Sequence, residues 1–523
     1  MSDDQIRDLF QNAEELSPDD DDQGPDADAD AERDGDIDGD GGGPSNTLPP
    51  LQLGSDVEIA RCVAQVLSRD RGEVIFCEGH FWYYAESHWR RIQDHELRLA
   101  VQRYDGAPIP GSRVPVRLGK TRIDSAIHEM TAMLARVDFF ADAPVGINCA
   151  SGFIAFAPDG TPSVQPHQPE HRCRHVLSAF FRKEWRDDEH LFSIGRVLGL
   201  FLAQLLEGIF LGDPDATEKR QLVAEIAGAA ALGYRSKSWE PKAVILEGKT
   251  AENGKSQVLD LFRGLLPSDA VTSIPAAKMN DERFLVRLVG KHLNASDELS
   301  GADAIASEVF KAAVTGEPVS GRDVYRSVVD FRSVAQNVFA TNTLPSFKGG
   351  MDRGVQRRLL VLTFNRTIPP EERVANIGMR IADEEADLLL TWAVEGASRL
   401  ICQRGFTVPL SSKTALREWL LSADPVLAWI QACIEEVDPN SAGAEQAKIK
   451  SAVAHHEFMR WATREGFREN TLPAINGFVQ RLRANRPSIC LKHTREGNFL
   501  TGIRVTSAES DLDREELFSG LPR

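Results

Sequence analysis

The chain has 523 residues, 42% of them hydrophobic, and a formal net charge of -18. That apolar content excludes a wholly disordered chain, and the length leaves room for roughly two to four domains. The charge is unevenly spread: residues 1–50 hold 17 acidic and two basic side chains, so the other 473 residues are nearly neutral.

Residues 1–50, with the run DDDDQGPDADADAERDGDIDGDGGGP, read as a disordered acidic tail, because so few apolar side chains cannot offset the entropy of folding. Residues 51–180 read as a mixed α/β region: an amphipathic start (VEIARCVAQVL), the hairpin-like FWYYAESHWRRI, then helices to about 136. The segment HQPEHRCRH places His167, His171, Cys173 and His175 within nine residues. Zinc uses such donors, but no companion pair exists and the run sits on a proline loop, so a metal site is not expected. Residues 181–240 read as a helical domain. Its most apolar stretch, LFSIGRVLGLFLAQLLEGIFLG, is broken by Arg196, Gln204 and Glu207, as expected of buried helices rather than a membrane span. Seven scattered cysteines without a C-x-x-C pair fit a reducing compartment. No secretory signal is evident, so a cytoplasmic, membrane-free protein is expected.

From 243 to about 365 strand-like and helix-like segments alternate, as expected of a three-layer α/β core. The stretch AVILEGKTAENGKSQVLDLFRGLL moves from an apolar strand through a glycine-bearing loop into a helix with Val258, Leu261, Phe262, Leu265 and Leu266 on one stripe. That is the setting of a phosphate-binding P-loop. Five residues rather than four separate Gly248 and Gly254, a departure that touches Gly248 and leaves Lys255 and Ser256 in register. Backbone N–H groups at the helix start would face phosphates. Lys255 would neutralise them and the Ser256 hydroxyl would reach Mg²⁺. Glu252, Asn253, Gly254 and Gln257 complete the expected ATP-binding stretch. A hydrolysing loop also needs carboxylates and a water-positioning group. Asp297 and Glu298 end a short strand, with Asp297 the expected second Mg²⁺ ligand, and Thr341-Asn342 end another. Arg357 and Arg358 precede the buried run LLVLTF, with Arg358 the first choice for an arginine finger.

The succession NGKS, DE, ATN and RRLLVLTF resembles the superfamily 3 helicase domain of phage and plasmid primase–helicases, an AAA+-type ATPase family. The resemblance covers about residues 75–505. It implies a P-loop AAA+-type core over 241–405, a preceding helical domain, ATP and Mg²⁺ as cofactors, and a homo-hexameric ring with the arginine acting in trans. It also implies action on single-stranded and forked DNA. Between the acidic strand and ATN the family carries a β-hairpin into the ring channel. Here Lys311, Arg322, Arg326 and Arg332, with Tyr325 and Phe331 between them, suit a phosphate backbone and bases. Residues 51–180 are too short for a polymerase core plus the family's linker, so a separate primase would be a partner.

Residues 415–505 form a last unit, before a C-terminal tail at 506–523. Over 446–505, 11 Lys/Arg face four Asp/Glu. Two helices followed by a β-like ICLKHTREGNFLTGIRV look like a winged helix, with Arg481, Arg483 and Arg486 on or just after the helix that would meet DNA. The expected function is ATP-driven translocation on DNA in replication. A packaging or partition motor, and a DNA-binding initiator or regulator with a non-hydrolysing nucleotide site, stay open. Because the tail carries its own charge and no core, deleting residues 1–45 is expected to leave the melting temperature unchanged and to strengthen DNA binding at low salt. Calorimetry and a fluorescence-anisotropy titration check both, and a large fall in melting temperature would show that the tail contributes to the core.

Overall fold

The computed structural model describes residues 48–185, 200–233, 239–297, 304–322, 328–348, 351–437, 447–467 and 472–506. The acidic tail, Glu298, Tyr325, Arg326 and the last residues lie outside them.

Helix α1 (Asp56–Arg71) is fixed at its start by reciprocal capping. The Ser55 hydroxyl accepts from the Glu58 N–H, and the Glu58 carboxylate takes the N–H groups of Gln52, Leu53 and Gly54. The aromatic run then forms a meander of β1 (Val74–Cys77), β2 (His80–Ala85) and β3 (His88–Arg91). Helices α2 (Asp94–Gln102) and α3 (Lys120–Met133) follow, with α1 packed on α3. A second antiparallel sheet comprises β4 (Gly146–Cys149), β5 (Gly152–Phe156) and β6 (Pro162–Gln165). Trp82 and Trp89 meet Phe140 and Phe139 edge-on at 5.0 and 4.9 Å, which makes this region's core largely aromatic.

Helices α4 (Phe201–Ile209) and α5 (Ala216–Leu232) come next. The Glu385 carboxylate accepts from the N–H groups of Phe201 and Leu202, capping α4, and burial raises its pKa. The central sheet follows. Strand β7 (Ala243–Glu247) leads through the loop into α6 (Lys255–Leu265), then to β8 (Val271–Thr272) and β9 (Leu293–Ser296). Beyond them lie β10 (Ala304–Ala306), α7 (Ser307–Thr315), the strands β11 (Pro318–Gly321) and β12 (Val329–Arg332), β13 (Gln336–Thr341), β14 (Ser346–Lys348), the short α8 (Arg353–Gln356) and β15 (Leu359–Thr363). The sheet order is β15-β7-β13-β9-β8, with every pair parallel; β11 and β12 pair as an antiparallel hairpin and β10 with β14 as a parallel pair.

Alternation along these strands buries both faces, as a parallel sheet requires. Val244, Leu246, Val338, Ala340, Leu360 and Leu362 face a core built with α5, α6, α9 (Ile377–Glu384) and α10 (Ala386–Gln403). Ala243, Ile245, Phe339, Leu359 and Val361 face the other, built with α7 and α11 (Leu410–Ala423). The expected three layers are present. Two expected boundaries move. The described helices of the 181–240 stretch, α4 and α5, share one continuous core with the sheet. Helix α11, partly assigned to the last unit, packs on β15, and its Trp419 indole donates to Pro345 O at 3.0 Å.

The C-terminal region has its own core, around Trp429, Phe458 and Phe478. Helix α12 (Pro425–Cys433) and β16 (Ile434–Glu436) lead to β17 (Lys448–Lys450), α13 (Ser451–Arg464) and α14 (Ile475–Asn485). Strands β18 (Cys490–Thr494), β19 (Gly497–Thr501) and β20 (Ile503–Val505) close it; β17-β19-β18 form one sheet and β16 pairs with β20.

Helices α5 and α10 cross at glycines. A Cβ on Gly396 would strike the Ala224 carbonyl and lie 2.7 Å from Glu225 N. In an exposed helix Gly→Ala gains up to about 1 kcal/mol. Here Gly396→Ala is expected to lose about 1–3 kcal/mol through overpacking. Urea denaturation measures the sign, and a gain would contradict the close crossing.

Candidate functional site

Parallel strands put their C-terminal tips on one edge, where α/β sheets bind ligands. At that edge the structure gathers the loop after β7, Thr341-Asn342 after β13 and Asp297 after β9. The Gly248 N–H donates to Thr341 O at 3.2 Å, tying the loop's start to β13. Helix α6 begins at Lys255 with Gly254 as its cap at φ 88°. Glu252 is also left-handed, at φ 60°, so the residue in excess of the usual spacing is absorbed where the chain turns, at some strain.

Lys255 is 8% exposed. Its Nζ donates to Gly248 O at 3.1 Å, Asn253 Oδ1 at 3.0 Å and Asn342 Oδ1 at 3.0 Å. Burial pushes the ammonium below its usual pKa, opposed by Glu247. Gly248 has a packing reason: a Cβ there would collide with the Asn253 amide and come within 2.7 Å of Lys255 Nζ. Asn253 is 3% exposed, and its amide donates to Thr250 O at 2.6 Å. Ser256 is exposed on the first turn of α6. Gln257 turns away, its Oε1 accepting from Gly378 N at 3.1 Å, and Glu252 pairs with Arg373 at 2.6 Å. Both therefore support the loop's surroundings rather than face open space above it.

Asp297 directly follows β9 and is held there by an arginine. Its carboxylate is bound by both Nη atoms of Arg263 on α6, the shorter contact 2.5 Å. Asp260 pairs with the same guanidinium at 3.0 Å.

The two arginines lie at the opposite, N-terminal edge. Arg358 O accepts from Ala243 N, the first residue of β7. Five residues of strand, about 16 Å, separate that point from the loop, so neither arginine reaches its own subunit's Lys255. Arg358 is 7% exposed, and its Nη1 donates to Gly354 O at 2.7 Å. Arg357 is exposed, and it caps α8 rather than alternating with Arg358 on a strand.

The expected basic hairpin exists, with a different charge placement. Arg322 is exposed just past β11, at the loop end, where Arg326 also falls by sequence, outside the described residues. Lys311 is on α7 and pairs with Asp352 at 3.1 Å. Arg332 is at the hairpin base, near Gly316 O, and Phe331 is buried, so neither belongs to the tip. In the C-terminal region Arg483 is exposed on α14, Arg481 is half-buried, and Arg486 is held by Glu436 at 2.7 Å. The β18–β19 turn exposes Lys492, His493 and Arg495. The expectation named none of these three, although KHTREGN signals a hairpin turn.

The histidine run disperses. His167 bonds Asn148, His171 stacks on Phe153 at 3.9 Å, Cys173 Sγ donates to His171 O, and His175 reaches Gly290 O. Among the described residues no cluster of three or more metal-ligating side chains forms, and no helix is long and apolar enough to cross a membrane.

Sequence reasoning also missed Lys219. It is fully buried on α5, donating to Asp213 at 2.6 Å and to Thr363 Oγ1 and O at 2.9 and 3.0 Å. This clamps α5 to the tip of β15, the strand beside the loop strand.

A family model described only as a family of unknown function (DUF5906) matches residues 246–358, from the tip of β7 to Arg358. No curated protein matches the chain. Among solved structures, the A-form apo structure of the NrS-1 C-terminal region is similar at a TM-score of 0.40 and 12% identity, over 85% of this chain and 98% of that one. A second A-form apo structure of the same region gives 0.41 and 11%, over 84% and 99%.

Removing Lys219 would leave the mostly buried Asp213 carboxylate, 10% exposed, without its cation. Lys219→Met is expected to cost about 3–5 kcal/mol, and adding Asp213→Leu should recover part of that loss. A double-mutant cycle by chemical denaturation measures it; strictly additive losses would show that the two side chains do not act as a pair.

Proposed function

We propose that this chain is an ATP-driven DNA motor of the superfamily 3, AAA+-type helicase class, acting in phage, prophage or plasmid replication. The observation that carries the reading is the contact of Lys255 Nζ with Asn342 across the tips of adjacent parallel strands. It joins the phosphate-loop lysine to a polar strand tip, and β13 lies between the loop strand and the strand bearing Asp297. An AAA+-type core needs that arrangement to hold phosphate and water together.

The residues present fit a nucleotide's phosphates. Lys255 is a buried cation whose hydrogen-bond acceptors are all uncharged, and the start of α6 offers N–H groups. Phosphates would take Lys255 from Asn342, freeing that amide to orient water or the terminal phosphate. Ser256 and Asp297 would hold Mg²⁺, which supplies charge neutralisation; Asp297 must first leave Arg263. Arg357, exposed at the far edge, would serve a neighbouring subunit in a hexameric ring. Arg322 at the hairpin end would track a single strand, and Arg483, Lys492 and Arg495 would give a winged-helix-like contact to DNA.

The Asp297–Arg263 ion pair favours a second reading: an initiator or regulator that binds nucleotide without hydrolysing it.

Lys255→Ala should abolish ATP turnover, with and without single-stranded DNA, and leave folding and DNA binding intact. Unchanged turnover in that variant rejects the motor, whereas wild-type protein that binds ATP and never turns it over supports the second reading. Arg357→Ala should bind nucleotide normally and hydrolyse it poorly, because a trans-acting arginine serves the neighbour's transition state. Mixed with Lys255→Ala subunits it should recover part of the activity. No recovery in assembled mixtures would remove the trans role.

A further inference from the structure

A small, largely apolar cavity with a few polar groups lies at the other edge of the sheet, where the 51–180 region meets the core. Its volume is ≈ 60 Å³, room for about four to six water positions. One wall is Asn148 with His171, Arg174, His175 and Leu177 of the following segment. The other is Leu232 at the end of α5, His292 ahead of β9 and Val334 ahead of β13.

Three wall residues carry buried polar atoms without a hydrogen-bond partner, Arg174 Nη1 and the Nδ1 atoms of His171 and His292, whereas His175 Nδ1 faces the Asp269 carboxylate. Such atoms are costly to leave unsatisfied, and three around one cavity point to an occupant. Arg174 is 7% exposed, and Glu78 binds only its Nη2, at 2.8 Å. The Phe140 ring, 4.0 Å away, and Trp82 hold the guanidinium in place. His175 spends Nε2–H on Gly290 O at 2.9 Å, and its Nδ1 lies 3.3 Å from Asp269. His292 hydrogen-bonds the Ala231 backbone. With Nδ1 unpartnered, that bond uses Nε2–H and leaves a lone pair on Nδ1. Burial holds both His171 and His292 below the usual imidazole pKa, so both rings are neutral.

The cavity therefore offers one cationic donor opposite neutral nitrogen acceptors. We infer that it is a binding site for hydrogen phosphate, a small tetrahedral oxyanion carrying both an anionic oxygen for Arg174 Nη1 and a P–OH to donate to the Nδ1 lone pair of His292. Sulfate has the same shape and no proton to give near neutrality, so it would leave the imidazole unsatisfied. A nucleotide is far too large. The site is independent of the phosphate loop and stands whether or not that loop hydrolyses ATP. It also adjoins the hairpin. Glu78, the partner of Arg174, precedes Gly79, where a Cβ would come within 2.8 Å of Val329 on β12.

The test is calorimetric titration of the full chain carrying Lys255→Ala, so that the loop's lysine does not contribute, with sodium phosphate and with sodium sulfate at matched ionic strength and pH 7. One saturable phosphate site is expected, with sulfate at least about tenfold weaker, the worth of one hydrogen bond to a charged group. Adding Arg174→Gln or His292→Leu should each weaken phosphate binding by about tenfold or more, with melting curves checking that each variant is folded. Should either fail to fold, the preference for phosphate over sulfate in the parent still decides. No saturable binding at millimolar phosphate would mean that the cavity holds water only. Equal affinity for sulfate, or full phosphate binding in both folded variants, would equally overturn the site.

Discussion

The Lys255 ammonium is buried with hydrogen bonds only to uncharged oxygens: a backbone carbonyl and two side-chain amides. A buried cation in that state is hydrogen-bonded but not neutralised. The nearby Glu247 only partly offsets this, because burial raises its own pKa and favours its neutral form. Positive charge thus persists at a helix N-terminus, where the dipole adds to it. Much of the surrounding sequence follows from keeping that charge in place. Gly248 must lack a side chain, Asn253 must be buried, and β13 must end so that Asn342 reaches the amine. Once an anion takes the lysine, these groups all lose a hydrogen bond together. That makes the loop and the tip of β13 one unit.

Parallel strands give the core a direction. The lysine, Asn342 and Asp297 sit at the C-terminal tips, while Arg357, Arg358, His292 and Val334 sit at or before the strand starts. No side chain spans that distance, so groups at one edge can act on the other edge's chemistry only through the strands or from another subunit. The Lys219–Asp213–Thr363 clamp serves the same rigidity, fixing a helix of the layer above to the strand next to the loop.

The parts legible in the sequence were those set by periodicity and local chemistry. Continuous apolar runs announced β7, β13 and β15, the stripe from Val258 to Leu266 announced α6, and the resemblance implied the β11–β12 hairpin. Side-chain partners were not legible, because they come from elements far apart in the chain. Arg263 is 34 residues before Asp297 and takes its carboxylate; Arg373 is 121 residues from Glu252 and takes its charge. Lys311 seemed part of a basic hairpin until the fold put it on a helix beside Asp352. Arg358 was preferred because it immediately precedes the buried strand, and that same position buries it, while Arg357 ends a short helix in the open. Domain limits shifted for a related reason. The run AEIAGAAAL reads as any small-residue helix, and only the crossing with Gly396 shows it to be interior to the sheet's own core.

Strands β9 and β13 have a group of interest at each end. His292 and Val334 enter the inferred phosphate cavity just before the strands begin, and Asp297 and Asn342 leave them at the tips. Both strands are almost wholly buried and flank each other in register, Gln336 opposite Leu293 and Phe339 opposite Ser296. A close-packed interior transmits displacement rather than absorbing it, so a shift of either strand start is passed to its tip. The hairpin joins the same path, since β12 runs into β13 through Val334 and touches Gly79 of the 51–180 region. The region ahead of the core therefore packs beside the hairpin and the strand starts together, while the chemistry proposed for Lys255 and Asn342 belongs to the far edge.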